Sequence, residues 1–196
     1  MASSDAASEF WRRNLYIIAI VEFAVLMAFG FANPFMPLFI QGLGNFTDRE
    51  AAFWTGLATS AFAVCMLLTG PVWGILAARW GRKPMVLRAM FGVAVLSAAT
   101  GVAPNVYWVV VLRGAQGLFA GSMAAASALV AANTPRDKIP FAMGLLMVAS
   151  YGGSTLGPLV GGIMVDAVGY EASFFIIGAV YFLGGLAVIF FTKERF

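Results

Sequence analysis

The chain has 196 residues, 61% of them apolar and 11% charged, with a formal net charge of +3 and a mean hydropathy of +0.89. Soluble domains carry about 25% charged residues, so a water-soluble fold has nowhere to hide this much apolar surface, and the composition points to a membrane protein. With no histidine, His-based metal sites, His proton relays and Ser-His triads are excluded, and the single cysteine, Cys65, excludes an internal disulfide.

A lipid-crossing helix needs roughly 20 mostly apolar residues. Six such runs follow one another at 15–40, 53–78, 85–102, 106–132, 141–168 and 172–191. Backbone groups in lipid must be satisfied within the segment, so runs this long are expected to be helices; barrel strands would be about ten residues and alternating. Residues 1–14 precede the first run and carry Arg12 and Arg13. A cationic start before an apolar run resembles a signal peptide. This run is too long for one and five more follow, so it reads as a retained helix.

The first span carries Glu22, seven residues past Leu15 and so about 10 Å deep at 1.5 Å per residue. An acid inside a lipid-crossing helix is a candidate proton carrier. The plainer alternative is a Glu that snorkels toward Arg12 or Arg13 or bonds a neighbouring helix. Asn33 lies eleven residues on, near the same face, and its place before Pro34 fits a helix kink equally well. Met27, Phe29, Phe31, Phe35 and Met36 could line a lipophilic pocket, or simply meet lipid and neighbouring helices.

Thr47 and Glu50 have capping-box spacing ahead of the second span. After it comes GILAARWGRKP, Gly74 to Pro84, with Arg79, Arg82 and Lys83 in quick succession and no acid. In the fourth span an unpaired Arg113 would cost at least about 2.5–3.5 kcal/mol, so it is expected to face the bundle interior. Arg113, Gln116, Gly117, Ala120 and Ser127 form a polar and small stripe there. Arg113 is a candidate for the transport path, the alternative being a structural arginine on backbone carbonyls. Thr134 and Pro135 have the form of an N-cap and N1 pair opening a short turn. In the fifth span Gly153, Gly157 and Gly161 stand four apart, a smooth face for close helix approach, with Gly162 beside it and Pro158 permitting a bend.

Orientation follows from the cations. With the N-terminus inside, the cytoplasmic ends hold Arg12, Arg13, Arg79, Arg82, Lys83, Arg88, Arg136, Lys138, Lys193 and Arg195, and the outer loops hold Arg49. This positive-inside bias predicts a multi-pass protein of the cell membrane with both termini cytoplasmic, and the loop cations facing the inner leaflet. The basic charge is thereby explained by lipid, and no nucleic-acid partner is expected.

The turn has an echo. GPVWG (Gly70 to Gly74) recurs as GPLVG (Gly157 to Gly161), and GILAARWG (Gly74 to Gly81) as GIMVDAVG (Gly162 to Gly169), with Asp166 where the first copy has Ala78. The spacing puts the copies at opposite membrane faces, as an inverted three-plus-three repeat would.

These residues resemble the major facilitator superfamily, the whole chain matching its amino-terminal six-helix half. The family's G-x-L-A-D-R-x-G-R-K loop is carried by Gly74, Leu76, Ala77, Arg79, Gly81, Arg82 and Lys83. Its R-x-x-Q-G motif appears as Arg113, Gln116 and Gly117, and its antiporter signature as Gly153, Gly157, Pro158, Gly161 and Gly162. The combination looks most like the drug:proton antiporter branch. Ala78 replaces the loop aspartate, which in the family helps lock the cytoplasmic gate. The resemblance implies an all-α half bundle of six transmembrane helices, ending at 193–196 where the central loop would begin. It also implies proton-coupled efflux of lipophilic small molecules by alternating access. The residues themselves show no P-loop or redox-cofactor site, so secondary transport without metal or cofactor is expected. An intramembrane enzyme, the other class, finds no paired aspartates, Ser-Lys dyad or His cluster to support it. A second six-helix half is required, whether a carboxy-terminal half or a second copy in a parallel homodimer. The alternative is a membrane module that does not transport unless that half is present.

Overall fold

A computed structural model describes residues 2–192, with side chains described from residue 11 onward. Lys193 and Arg195, and the expected start of a central loop at 193–196, lie outside the described residues. The described chain is helical: α1 Ala2–Gly42, α2 Asp48–Trp80, α3 Arg82–Gly101, α4 Val106–Phe119, α5 Ser122–Asn133, a 3₁₀ turn Arg136–Lys138, and α6 Ile139–Phe191.

Five helical stretches among the described residues are long and apolar enough to cross a membrane. The last, Arg136–Phe191, has 56 residues, or roughly 80 Å of helix against a hydrocarbon core of about 30 Å. It is divided at Gly169, whose φ of 80° and ψ of 172° interrupt the helix. Packing shows that the chain reverses there. Before Gly169, Gly153 meets Phe23, Gly157 meets Met27 and Gly161 meets Phe31, so this limb runs parallel to α1. After it, Phe174 stacks on Phe39 and Gly184 meets Val21, so the second limb runs antiparallel to α1. The fourth predicted run is likewise two helices, α4 and α5, parted at Ala120 and Gly121. By direction, the described residues make six passes.

The internal echo has a structural counterpart. Gly81 and Gly169 end the two copies and adopt the same left-handed-φ conformation, φ 93° with ψ 164° and φ 80° with ψ 172°. Each sits at a reversal between helices, and only glycine tolerates such a backbone cheaply. The Gly81 turn lies at the bundle end where Lys83 reaches the last turn of α6; the Gly169 turn lies at the other end, sharing a depression with Gly42 and Leu43. The packing pairs match as well, with α2 beside α4 and α1 beside the first limb of α6, each pair parallel and each closed by glycines. In lipid there is no hydrophobic drive between helices, so contact depends on this close backbone approach.

Local signals behave as their chemistry requires. Thr47 and Glu50 form a full capping box. Thr134 does not cap the 3₁₀ turn: its hydroxyl donates to Val130 O at 2.7 Å, so Pro135 alone opens that turn. Large apolar side chains along α2, among them Leu67, Leu68 and Ile75, are exposed, a surface suited to lipid or to another helical bundle.

Candidate functional site

The interior of the bundle holds two polar centres, with a tyrosine near both. The first is Glu22 of α1, with no solvent exposure. Ser122, the first residue of α5, donates its hydroxyl to Glu22 Oε2 at 3.4 Å. Oε1 has no hydrogen-bonding partner within the protein. Glu22 does not snorkel toward Arg12 or Arg13, because side-chain packing encloses it on every side.

The second centre is Arg113 of α4, 6% exposed. Its Nη1 donates to Gln116 Oε1 at 3.4 Å, Gln116 Nε2 donates to Thr100 Oγ1 at 3.1 Å, and Thr100 donates to Leu96 O at 2.8 Å. Arg113 and Gln116 point the same way because they stand one helical turn apart on α4. Neither group pairs with an acid in this chain of contacts, and Glu22 and Arg113 form no ion pair. Tyr181, from the second limb of α6, lies in electrostatic reach of both. Sequence reading missed Tyr181, Thr100 and Ser122, since each is an unremarkable polar residue in an apolar run until its partner is known.

Beside Ser122 and Tyr181 lies a cavity of about 160 Å³ walled by Leu26, Phe29, Phe62 and Met66. Phe29 and Phe62 stack at 5.4 Å between centroids. Of the aromatic and methionine candidates in the first span, Phe29 therefore reaches this cavity, while Phe31 and Met36 are buried in helix packing. Asn33 is exposed and lines neither this cavity nor the void beside Arg113. The predicted stripe on the fourth span is cut after Gly117 by the end of α4, and Ser127 turns back to bond Met123 O at 2.5 Å.

A larger cavity of about 380 Å³ lies toward the loop between α2 and α3, lined by Gly74, Ala78, Arg82, Arg88 and Ala124 among others. Arg79 is exposed, and Gly81 forms the turn. Two cations expected to face the inner leaflet turn into the protein. Lys83 Nζ donates to Ile189 O at 2.9 Å and Thr192 O at 2.6 Å, closing the end of α6. Arg88 lays its guanidinium 3.7 Å over the Trp73 ring. Carbonyls left open at helix ends and breaks attract both. Restoring the loop acid with Ala78→Asp puts a carboxylate in the same cavity as Arg82 and Arg88. A partly exposed pair contributes only about 0–1 kcal/mol, and slower maleimide labelling of a cysteine at Ala124 or Ala128, on a Cys65→Ala background, is the expected result. Faster labelling would show that the added charge loosens the cavity.

In helix 139–168 the glycine motif is a packing face. Gly153, Gly157 and Gly161 are buried against α1, Gly162 is partly exposed near Phe35, and Pro158 lies within the helix. Asp166, the acid of the second repeat copy, is exposed.

Residues 18–196 match the family described as the Major Facilitator Superfamily. The chain is 36% identical over 186 residues to the multi-drug resistance efflux pump PmrA of Streptococcus pneumoniae, covering 95% of this chain and 46% of that one. It is 38% identical over 196 residues to the multidrug resistance protein MdtG of Enterobacter lignolyticus, covering all of this chain and 47% of that one. The chain thus spans about half the length of the curated relatives it matches. Two solved structures share the fold. The human organic anion transporter MFSD10 (TETRAN) superposes with a TM-score of 0.80 at 22% identity, covering 94% of this chain and 48% of that one. A bacterial homolog of the human lysosomal transporter Spinster, inward-facing and unoccupied, gives 0.82 at 18% identity, covering 95% of this chain and 44% of that one.

Proposed function

Because the chain belongs to the major facilitator superfamily, we propose that it is one six-helix half of a secondary transporter exporting lipophilic small molecules in exchange for protons. The observation that carries this reading is Glu22, enclosed in the bundle with one carboxylate oxygen unpartnered, close to an apolar cavity through Ser122. An acid in such a place can take or release a proton as its surroundings change, and intramembrane acids usually mark such paths. The printed names of PmrA and MdtG, as multidrug pumps, support the substrate class. The apolar walls of the cavity agree with it. Gln116 and Arg113 are assigned to the same path, and Asn33, which lines neither cavity, is not; the glycines of α6 let the helices pack and rock.

The cations gathered at the Gly81 end of the bundle favour that end as the cytoplasmic one, with the protein in the cell membrane. The exposed apolar face of α2 and the coverage of the relatives support a second six-helix half as partner. Halves of such transporters are related by an axis along the membrane normal. A second copy inserted the same way would satisfy that geometry as a parallel homodimer, and cysteine cross-linking along α1 and α4 in native membranes tests it. A clean monomer that transports would exclude the dimer.

The function is tested in proteoliposomes loaded with a lipophilic fluorescent dye. An imposed pH gradient should drive dye movement, and dye movement should in turn acidify or alkalinise the lumen. Identical dye retention with and without the gradient would overturn the reading of a proton-coupled exporter in favour of a module inactive by itself.

A further inference from the structure

The break between α4 and α5 is the most unusual backbone inside the bundle. α4 ends at Phe119, Gly121 takes φ 103° and ψ 25°, and α5 restarts at Ser122. In an unbroken helix the Ser122 N–H would bond Leu118 O, and the Ala124 N–H would bond Ala120 O. Both carbonyls have other partners here. Trp73 Nε1 donates to Leu118 O at 2.8 Å. Arg88 Nη1 donates to the same oxygen at 3.4 Å, and Arg88 Nη2 donates to Ala120 O at 3.2 Å. The guanidinium carbon sits over the Trp73 ring, 3.7 Å from its centroid. Non-helical backbone at membrane depth persists only where such groups are satisfied by neighbours.

The other side of the break faces the acid. Once Leu118 and Ala120 are taken, the first amides of α5 have no carbonyls of their own helix to bond, because the first bond within α5 runs from Ala125 N–H to Gly121 O. A helix start carries partial positive charge and favours a carboxylate. Ser122, the first residue of that helix, is the residue hydrogen-bonded to Glu22. The contact between this helix start and the acid is made by the Ser122 hydroxyl on Oε2; Oε1, wholly buried, accepts nothing from the protein.

We propose that Arg88 and Trp73 are positioning residues for the proton site: by replacing the amides of α5 on the carbonyls of Leu118 and Ala120, they hold the helix broken and present the Ser122 hydroxyl to Glu22. The brace spans three elements. Without it, Leu118 and Ala120 recover their partners only by re-forming a continuous helix, which withdraws Ser122 from Glu22. Arg88 therefore governs an acid on a different helix without touching it. A lysine would not substitute, since one ammonium cannot span two carbonyls from a fixed plane above an indole ring. This inference rests on the proton-carrier reading only for its importance to transport, and its test does not require transport.

The test follows the infrared absorbance of the protonated Glu22 carboxyl against pH in the purified chain, assigned by its loss in Glu22→Gln. The titratable group facing Glu22 from α6 is Tyr181, which in turn lies in reach of Arg113 of α4; α5 contributes Ser122. Ser122→Ala removes one hydrogen bond, long at 3.4 Å, and should move the midpoint by about 0.5–1 pH unit, the ordinary worth of such a bond. Arg88→Leu and Arg88→Lys should move it in the same direction by a similar amount, and Trp73→Phe, which keeps the ring and loses one N–H, by less. The double variant Arg88→Leu with Ser122→Ala should move no further than the larger single shift, because both act through the same contact. A midpoint unchanged in the Arg88 variants, or shifts that add, would overturn the proposal. Should Arg88→Leu fail to fold, Arg88→Lys and Trp73→Phe decide by the same criterion. If Glu22→Gln instead leaves proton-coupled exchange intact, the transport reading fails while the spectroscopic outcome still judges the brace.

Discussion

Glu22→Gln is expected to reduce proton-driven dye exchange to the background of protein-free liposomes while leaving the fold in place. Glutamine keeps the size of the side chain and an oxygen that can accept from Ser122, so the packing around α1 is preserved. What it loses is the ability to bind and release a proton. Arg113→Ala should have a comparable effect on exchange by another route. It removes the donor at the head of the Arg113–Gln116–Thr100 chain and a buried cation from the bundle interior. The two variants should separate in stability, because Arg113→Ala leaves a space where a buried side chain stood, whereas Glu22→Gln is nearly isosteric. The assay is luminal pH during dye movement. Wild-type rates in both variants would remove these residues from the coupling path.

The second large effect is structural. Gly157→Ala is expected to lower the melting temperature of the purified protein clearly, although alanine is by itself the better helix former by about 1 kcal/mol. The added methyl would lie 2.5 Å from Met27 O and 2.9 Å from Phe31 N. These are backbone atoms of α1, so no side chain can swing aside, and the two helices must separate. Overpacking of this kind costs about 1–3 kcal/mol. Gly144→Ala is the control in the same helix. A methyl at Gly144 meets nothing within 4 Å, so only the gain in helix propensity remains and its melting temperature should hold or rise. Equal effects at the two positions would mean that the α1–α6 contact does not hold the bundle together.

Much of the architecture is set by properties that act over one helical turn or one span length. Six apolar runs, the capping box at Thr47, the glycine spacing from Gly153 to Gly161 and the clustering of cations all follow from hydropathy, local hydrogen bonding and side-chain size. Those features are written in neighbouring residues and need no knowledge of what packs where. Even the reversal at Gly169 falls in the gap between the fifth and sixth runs. The motifs around Arg113 and the Gly74–Lys83 loop identified the family for the same reason, since each is contiguous.

Other features exist only once distant segments meet. The break at Ala120 and Gly121 is invisible in composition, because alanine and glycine are ordinary in lipid-crossing helices; it is stabilised by Trp73 and Arg88, 45 and 32 residues from their acceptors. Arg88 read as a cation for the inner leaflet, and tertiary packing made it a clamp on open carbonyls. Tyr181 joined the site because the second limb of α6 carries it to the cavities beside Ser122 and Arg113. Ser122 joined because the break turned it into a helix start 100 residues from its acid. The sequence by itself determined which segments are apolar enough to cross a membrane, in what order, and which faces permit close approach. Which polar groups meet inside was decided by the tertiary structure, because a buried hydrogen bond is specified by two partners and each is silent without the other.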